Sequence, residues 1–487
     1  MEYETIICFE THVELKTQTK LFCRCQVGDS ATPNSRTCPV CTGQPGALPV
    51  LNKKAVEYCV LAGLALNCSI NRRTRFARKN YFYPDLPKGY QISQYEHPFC
   101  ENGYLEITGD DGHPYLVGIK RIHLEEDAGK LVHSSSSFGV SDYSLVDYNR
   151  SCVPLIEIVA DHTRNPLRSL REARAYLEKV RRILIYIGVS DCIIEKGQFR
   201  CDVNISIRPK GSQDYGNRAE IKNMASFKSI MDALEYETKR QSEVLETGGQ
   251  LYQETRLFDE EKKMTVSMRS KENAPDYRYF PDPDLVEVDL DDEFIGNISK
   301  NIPELPDKKI DRLIKESGIT KEDAFILTKE KNISDFFACC LPLCRDKKRL
   351  SRWVIKELFR LLKGSSLTID NCPIKPEAFS ELINILEQGG ITDQNGRVIL
   401  DEMFRTGSSP DTIINKKGFK TIQDFDQLEK VLNEVIDENP NAVAQIKEGM
   451  TKPIGFLIGG VMKKTGSQAN PKKVRELIIK KLGIKNL

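Results

Sequence analysis

Three predicted strands of this chain have apolar side chains on one face and an unusual polar set on the other. The two sets separate because successive side chains of a strand point to opposite faces. The polar faces carry Glu10, His12 and Glu14 in the first strand, His123, Glu125 and Asp127 in the second, and Arg200, Asp202, Asn204, Ser206 and Arg208 in the third. Solvated faces usually lack this bias towards His, Asp and Asn, although three separate solvated faces are the alternative. Together the strands predict one sheet surface that holds a metal ion and phosphate.

A fourth segment, residues 154–159, is an apolar run with a single carboxylate, Glu157, in its middle. Burial of a lone carboxylate costs several kcal/mol, so such a group is paired, protonated or bound to a metal ion. Pairing with Arg150 or Arg164, which are near in sequence, is one interpretation. A metal ligand is the other, and the pattern alone leaves both open.

The composition indicates a soluble protein of two to four domains. The chain has 487 residues, of which 40% are hydrophobic and 29% charged, as in ordinary globular proteins. No apolar run is long enough to span a bilayer, so we expect no membrane association. Fifteen cysteines is an odd number, so they cannot all pair within the chain, and their scatter suits a reducing cytoplasm.

The chain divides into three predicted regions: 1–292, which mixes strands and helices; 293–407, which is helical; and 408–487, a small helical tail. Helices are expected at 52–64, capped by Asn52, at 165–187, with Pro166 near its start, and at 226–246. From Thr451 to Leu487 there are nine Lys or Arg and one acid, a net charge of +8. Such an end is a candidate contact for nucleic acid, and an ordinary solvated helix face is the alternative.

Four cysteines form two close pairs, Cys23-x-Cys25 and Cys38-x-x-Cys41, with twelve residues between them. Two pairs of thiolates match a tetrahedral structural zinc site, and four unbound thiols are the alternative. With four sulfur ligands the ion has no open position for chemistry. We therefore expect it to hold a loop in place, not to catalyse.

The segment from Arg78 to Gln94, RKNYFYPDLPKGYQISQ, is not a generic motif. It resembles the GatB family, the B subunits of the tRNA-dependent Glu-tRNA(Gln)/Asp-tRNA(Asn) amidotransferase. Further segments agree with this resemblance and cover essentially the whole chain: residues 10–15, 124–130, 144–150, 154–159, 197–206, 220–223, 276–281, 455–457 and 468–471.

This chain departs from the family pattern at a few positions. Cys8-Phe9-Glu10-Thr11-His12 stands where the family usually has Gly-Leu-Glu-Val-His, and Cys152 stands where glycine is usual. Ala225 replaces a usual Asn and Gly460 a usual Gln. None of these changes removes a proposed metal ligand, and some members lack the four cysteines, as a structural role for zinc would allow.

The resemblance implies an α+β fold. An antiparallel-sheet catalytic domain, the cradle, would resemble glutamine synthetase and guanido kinases, followed by a helical domain and a helical tail. The implied activity is that of an ATP- and Mg²⁺-dependent ligase. The γ-phosphate of ATP would pass to the side-chain carboxylate of Glu-tRNA(Gln), Asp-tRNA(Asn) or both, and ammonia would then displace phosphate. No Gly-x-x-x-x-Gly-Lys-Ser/Thr loop is present, so the nucleotide site would not be a P-loop.

Together with this chemistry, the resemblance implies roles for individual residues. Glu10, His12, Glu125 and Glu157 would bind Mg²⁺, and since His is an unusual Mg²⁺ ligand, the site would also suit Mn²⁺. The other implied sets are Arg150, Arg200 and Lys222 for phosphate, Asp202 and Asn204 for orientation of substrate or water, and Lys79, Tyr81 and Tyr83 for the route of ammonia. Lys463, Lys464, Lys472, Lys473 and Arg475 would contact tRNA, and Cys23, Cys25, Cys38 and Cys41 would bind zinc.

The implied partners are the amidase (A) subunit, which releases ammonia, the small (C) subunit, and misacylated tRNA. Two other classes of function remain open from the sequence. A metallohydrolase would use the same Glu and His residues without ATP, and a non-catalytic RNA-binding protein would be indifferent to substitution of Glu125.

Overall fold

The computed structural model describes residues 2–28, 30, 32–133, 143–212, 214–270, 276–419, 425–447, 450–466, 469 and 471–483. It divides into two compact units, Met1–Leu305 and Pro306–Leu487. No helix in these described ranges has the length and apolar character needed to cross a bilayer.

The first unit contains the strands of the described chain. They are β1 (Tyr3–Glu14), β2 (Ser69–Ile70), β3 (Arg73–Thr74), β4 (Ala77–Asn80), β5 (Tyr90–Ser93), β6 (Cys100–Thr108), β7 (Pro114–Glu126), β8 (Lys130–His133), β9 (Ser144–Asp147), β10 (Pro154–Ala160), β11 (Phe199–Pro209), β12 (Ala219–Lys222), β13 (Glu254–Asp259), β14 (Met264–Ser270), β15 (Phe280–Pro281) and β16 (Val288–Asp289).

In the described part of the chain, nine of these strands form one sheet in the order β14-β13-β12-β11-β1-β10-β7-β6-β2. All neighbours pair antiparallel except β12 and β13, which are parallel. The predicted antiparallel sheet is confirmed with this one parallel pair as the exception. The order matters because β11, β1, β10 and β7, which carry the four predicted polar segments, are consecutive neighbours.

Three long helices, α1 (Lys53–Ala65), α2 (Leu170–Tyr186) and α3 (Phe227–Glu246), supply buried apolar side chains to the core shared with the sheet. The side chain of Asn52 accepts a hydrogen bond from the Lys54 N–H, so the predicted cap of α1 is confirmed. The second helix begins later than predicted, because Ser169 caps it through the Glu172 N–H and Pro166 lies before it.

The second unit is helical over its described residues, as the pattern after residue 306 predicts. A short helix, α4 (Asp292–Lys300), closes the first unit, and the second contains α5 (Pro306–Ser317), α6 (Lys321–Leu327), α7 (Lys331–Cys340), α8 (Lys347–Trp353), α9 (Phe359–Lys363), α10 (Pro376–Glu387), α11 (Asp393–Thr406), α12 (Pro410–Lys417), α13 (Phe425–Glu438), α14 (Pro440–Lys447), α15 (Lys452–Lys464) and α16 (Pro471–Leu482).

Two hydrophobic cores lie within the second unit. One contains buried residues from Ile310 to Ile414, and the other contains buried residues from Leu428 to Ile478. Helix α12 belongs to the former core through Ile413 and Ile414. The predicted division of the chain at residues 292 and 407 stays a prediction.

Candidate functional site

The pairing of four strands brings the predicted polar residues into one surface. On β1, His12 lies opposite Arg200 of β11 on one side and Glu157 of β10 on the other. Glu157 in turn lies opposite His123 of β7. The opposite face of β1 packs into the hydrophobic core, since Phe9 and Val13 on that face are completely buried. The predicted alternation of polar and apolar faces is therefore present in the part of β1 that borders the site.

Two imidazoles and two carboxylates meet at the centre of this surface. The Nε2 atom of His12 lies 3.5 Å from Glu157 Oε2 and 3.8 Å from Glu125 Oε1. The Nε2 atom of His123 lies 3.2 Å from Glu157 Oε2 and 3.6 Å from Glu125 Oε2. Ser93 Oγ donates a 2.9 Å hydrogen bond to Glu125 Oε2. Glu157 thus contacts the two histidines, whereas Arg150 and Arg164 pair with Asp127 and Asp161.

These four groups stabilise each other's charged forms. Burial favours the neutral imidazole, but the charge of Glu157 and hydrogen bonds to the carboxylates raise the pKa of His123 to about 9. Burial also opposes ionisation of Glu157, yet the charges of His123 and His12 hold the pKa of that carboxyl well below its ordinary value. Hydrogen bonding and charge from the histidines also lower the pKa of the buried Glu125. Both carboxylates are therefore ionised at neutral pH, as ligands of a cation must be.

The donor set fits a divalent cation. One ligand atom each from His12, Glu125 and Glu157 lies within 4.8 Å of the others, a spacing that a single ion can bridge. Two carboxylate oxygens suit Mg²⁺, and the imidazole nitrogen also suits Mn²⁺. His123, whose buried Nδ1 has no hydrogen-bond partner among the residues that the structure describes, contacts the same carboxylates.

Glu10, the fourth predicted ligand, belongs to a neighbouring group on β1, β11 and β12. Its Oε1 atom accepts a 3.0 Å hydrogen bond from Asn204 Nδ2. Lys222 forms ion pairs with Asp202 and, at 3.1 Å, with Glu220. Burial and the nearby carboxylates Glu157 and Glu220 raise the pKa of Glu10. This carboxylate-rich group, with one lysine, adjoins the His12 cluster.

The predicted phosphate contacts Arg150 and Arg200 share one buried carboxylate. Arg200 Nη2 lies 2.6 Å and Arg150 Nε 3.5 Å from Asp127 Oδ2. Arg150 also donates to the carbonyls of Ala128 and Gly129. The side chains of Arg200 and Arg150 remain 36% and 31% exposed, so each guanidinium is held in place while part of it faces solvent.

The residues predicted for the ammonia route separate into two environments. Lys79 Nζ lies 4.8 Å from the ring centroid of Tyr277 and 6.0 Å from that of Tyr81. Burial opposes the charge of Lys79, but the charges of Glu125 and Glu157 raise the pKa of its ammonium, so this ammonium interacts electrostatically with the His12 cluster. Tyr83 is instead 57% exposed.

Comparison with known proteins decides the family. Residues 5–296 match the GatB/GatE catalytic domain, and residues 335–482 match the GatB domain. The chain belongs to the GatB family. The resemblance inferred from the motifs is confirmed, and so is a tRNA-dependent amidotransferase of the ligase type at the level of the family.

Curated GatB relatives match along their whole length. Two of them are named as B subunits of aspartyl/glutamyl-tRNA(Asn/Gln) amidotransferase, and they are 50% identical over 481 residues in Carboxydothermus hydrogenoformans and 49% over 485 in Caldicellulosiruptor saccharolyticus. The match covers 99% of this chain and of each relative in both cases. The relative of the same name from Persephonella marina is 47% identical over 479 residues, which is 98% of this chain and 99% of that protein.

The four cysteines predicted to bind zinc also lie close together in this GatB-family chain. One sulfur each from Cys23, Cys25, Cys38 and Cys41 lies within 4.8 Å of the others. Beside them Lys20 is completely buried, with its Nζ 3.6 Å from Cys41 Sγ and 3.2 Å from the Tyr148 carbonyl. Among the described residues no carboxylate pairs with this ammonium. One Zn²⁺ and four thiolates together have a net negative charge, which would balance the buried ammonium, so the residues fit zinc.

The predicted tRNA contacts lie in the second unit on α15 and α16. Lys463, Lys473 and Arg475 are exposed. Lys464 Nζ lies 3.0 Å from Glu434 Oε2 and 2.6 Å from Glu438 Oε1 of α13. The side chain of Lys472 lies outside the described residues. Part of the positive charge of residues 451–487 is thus balanced by acids of α13.

The sequence prediction left His123 out of the ligand set, although it precedes Glu125 by two residues on the same face of β7. The strand alternation contains the signal for His123. Tyr277 and Tyr279, which pack beside Lys79 and Tyr95, lie in the segment 276–281 that supports the family resemblance, but the sequence predicted no role for them. Both tyrosines lie far along the chain from Lys79 and Tyr95.

Glu14, at the end of β1, gives the site a pH-dependent stability. Burial and the charge of Asp127 raise the pKa of Glu14 from 4.5 to about 7. The folded chain then binds more protons than the unfolded chain between these values, so stability falls as pH rises through the interval and is level above it. We expect Glu14→Gln to remove this fall and to raise the free energy of unfolding by about 2 kcal/mol at pH 8.

Thermal or urea unfolding at pH 5, 6, 7 and 8 measures the effect, with the exposed Glu106→Gln as the matched control. A difference from wild type that does not grow with pH would contradict the Glu14 prediction.

Proposed function

We propose that this chain activates the side-chain carboxylate of Glu-tRNA(Gln), Asp-tRNA(Asn) or both with ATP, and then amidates it with ammonia. An oxygen of the substrate carboxylate attacks the γ-phosphorus of ATP, and ADP leaves. Ammonia then attacks the carbonyl carbon of the acyl phosphate, loses a proton and expels phosphate. Activation is required because a carboxylate is a poor electrophile with a poor leaving group.

The observation that carries the proposal is a carboxylate–imidazole cluster beside fixed cationic groups on one sheet face. His12, Glu125 and Glu157 would hold Mg²⁺ or Mn²⁺. When bound, this ion would neutralise charge on the phosphates during transfer. Arg200 lies opposite His12 in the strand register, and so places a guanidinium next to the cluster.

The residues of the chain hold the substrates in complementary ways. Arg150 and Arg200 are fixed by Asp127 and would offset the charge that develops on the transferred phosphoryl group. Lys222 would exchange part of its contact with Asp202 for a phosphate oxygen. Asp202 and Asn204 would orient the substrate or a water molecule.

Lys79, beside Glu125, would line the last part of the ammonia route. Tyr81 lies under the Lys79 ammonium, and burial raises the pKa of its hydroxyl, so this group stays neutral. We propose Tyr83 for an outer part of the route, since it is exposed. The source of ammonia would be a separate amidase protein, joined by a small third protein.

The remaining assignments rest on the same family relationship. We propose a catalytic cradle over 1–292 with the likeness to glutamine synthetase and guanido kinases described above, a helical domain over 293–407, and a tRNA-binding tail over 408–487. Zinc on Cys23, Cys25, Cys38 and Cys41 would be structural.

Transfer of an oxygen atom tests the proposed chemistry. Glutamate labelled with ¹⁸O in both side-chain oxygens is esterified to tRNA(Gln) and incubated with the chain, its amidase partner, glutamine and ATP. Acyl phosphate formation requires one ¹⁸O in the phosphate released for each amide made, since that oxygen leaves with phosphorus. Mass spectrometry of the phosphate gives the result, and labelled aspartate on tRNA(Asn) extends the test to the second substrate.

The rival functions give different results. A metallohydrolase would release unlabelled phosphate or act without ATP, and a binding module would support amidation at an unchanged rate with Glu125 substituted. Amide formation with unlabelled phosphate would overturn the proposal.

A further inference from the structure

A pair of stacked tyrosines lies beside the His12 cluster. The ring centroids of Tyr95 and Tyr279 are 4.3 Å apart, and the two rings are nearly parallel, with 11° between their planes. Tyr279 is half-buried, whereas Tyr95 is 48% exposed. A large part of this aromatic surface is therefore open to a flat group from outside the chain.

Two hydrogen bonds fix the segment that carries Tyr95 to the strand of the cluster, β7. Ser93 Oγ donates to Glu125 Oε2 at 2.9 Å, and the Leu124 N–H donates to Gln94 Oε1 at 3.0 Å. Tyr95 follows these two residues directly in the chain. The stacked tyrosines thus border the cluster itself.

Arg121 places a positive charge between the tyrosines and the cluster. It lies on β7 two residues before His123, so the two side chains share a face and are about 7 Å apart along the strand. Its Nη1 atom donates to the Tyr95 carbonyl at 3.4 Å, and its Cζ atom lies 5.9 Å from the centroid of the Tyr95 ring. The guanidinium and the aromatic surface therefore form one continuous group.

The guanidinium of Arg121 is not neutralised by the chain that surrounds it. In the described part of the chain Arg121 forms no ion pair, and its buried Nε atom has no hydrogen-bond partner. Its cross-strand neighbour Glu101 instead accepts a 2.7 Å hydrogen bond from Asn71 Nδ2. A buried donor without an acceptor costs free energy, and a phosphate oxygen would supply that acceptor.

We propose that Tyr95, Tyr279 and Arg121 form a subsite for an adenine nucleotide. The base would stack on the exposed tyrosine pair, and Arg121 would bind a phosphate oxygen of the same nucleotide. This inference rests on the proposed function, in which both substrates carry an adenosine. One is ATP, and the other is the 3′-terminal nucleotide of tRNA, whose ribose bears the amino acid.

A comparison of ligands with and without the adenosine tests the subsite in the chain assembled with its amidase partner. In one arm, the affinity for ATP is compared with that for inorganic tripolyphosphate, both with Mg²⁺. In the other arm, the affinity for tRNA(Gln) is compared with that for the same tRNA without its last nucleotide. Each ratio is measured for wild type, for Tyr95→Leu and for the control Tyr104→Leu, which replaces an equally exposed tyrosine on β6.

We expect wild type and Tyr104→Leu to prefer the ligand with adenosine in at least one arm by roughly 5-fold to 150-fold, the contribution of a base stacked on an aromatic ring. Tyr95→Leu should lose most of that preference, and the arm in which it is lost identifies the source of the adenosine. Arg121→Gln should weaken binding of the same ligand by roughly 10-fold or more, whereas Arg174→Gln, at an exposed position of α2, should not.

Ratios that are the same in Tyr95→Leu and wild type in both arms would overturn the proposal. The tyrosine stack would then only hold the segment 276–281 in place.

A second measurement uses the wild-type chain alone and so does not require a variant to fold. Photoreactive 8-azidoadenosine is supplied either as 8-azido-ATP or as the 3′-terminal nucleotide of tRNA, and the crosslinked peptides are identified by mass spectrometry. We expect one of the two probes to attach within residues 93–97 or 276–281. Attachment of both probes only at other positions would contradict the subsite.

These measurements report binding, whereas transfer of ¹⁸O reports the chemical step. Labelled phosphate together with unchanged affinity ratios would support the proposed function and exclude the subsite. Adenosine-dependent binding through Tyr95 without transfer of ¹⁸O would support the subsite and exclude the acyl phosphate.

Discussion

Replacement of Glu125 by glutamine is expected to abolish ATP-dependent amidation of misacylated tRNA, with a loss of about 10³-fold or more. Glu125 contacts His12 and His123 and accepts a hydrogen bond from Ser93. Glutamine has nearly the same shape and still accepts from Ser93, but it lacks the negative charge. The cluster then offers a divalent cation one carboxylate in place of two, and so binds it more weakly.

The expected loss is specific to the chemical step. Binding of tRNA and hydrolysis of glutamine by the amidase partner should change little, since the Glu125 side chain is buried within the cluster and is not exposed for contact with either. Glu106→Gln on β6, an exposed position of the same sheet, is the matched control and should retain full activity.

Measurements of amide formation, tRNA affinity and glutaminase activity on the same preparations separate these effects. Mg²⁺ or Mn²⁺ titration of each variant adds a readout that does not depend on turnover. Normal amidation by Glu125→Gln would exclude the cluster as the site of activation.

Much of the site could be predicted from the sequence because the side chains of a strand alternate between its faces. His12, Glu125 and Glu157 follow from alternation and from one carboxylate in an apolar run, and the structure brings these three together. Alternation does not define register, however. The pairing of β10 with β7 places His123 opposite Glu157, and this cross-strand contact distinguishes His123 from Glu10, which lies with Asn204.

Other features depend on contacts between segments distant in sequence. A local rule predicts the start of α2 near Pro166, but Ser169 provides the cap hydrogen bond. The net charge of +8 belongs to the 37 residues 451–487 alone, and the acids that balance Lys464 lie on α13, before that segment. A count of charges within a segment cannot show which of them are already paired.

The pairing within the tail leads to an expected difference between two adjacent lysines. Lys464→Gln removes a charge that Glu434 and Glu438 already balance, so tRNA affinity should change little. Lys463→Gln removes an exposed charge without such a pair among the described ion pairs, and tRNA affinity should fall. Combining Lys463→Gln with Lys473→Gln and Arg475→Gln should weaken binding further.

Salt dependence shows whether the affected contacts are to phosphates. Each contact to a duplex phosphate contributes about −0.9 to the slope of log affinity against log salt concentration. The triple variant should therefore have a slope shallower by up to roughly 2.7, and Lys464→Gln a slope close to that of wild type. Affinity measured at four or five salt concentrations with the same tRNA gives both quantities.

A truncation provides the complementary measurement if it leaves the remaining core intact. Removal of residues 408–487 would take Ile413 and Ile414 out of the core that extends from Ile310 to Ile414. A loss of tRNA binding could then follow from misfolding. Removal of 420–487 spares α12 and eliminates the core that begins at Leu428. We expect this shorter chain to keep ATP binding and to lose tRNA affinity and most of its salt dependence. If affinity and slope are unchanged in both the truncated chain and the triple variant, tRNA is held by residues before 420 and the basic tail is a solvated helical surface.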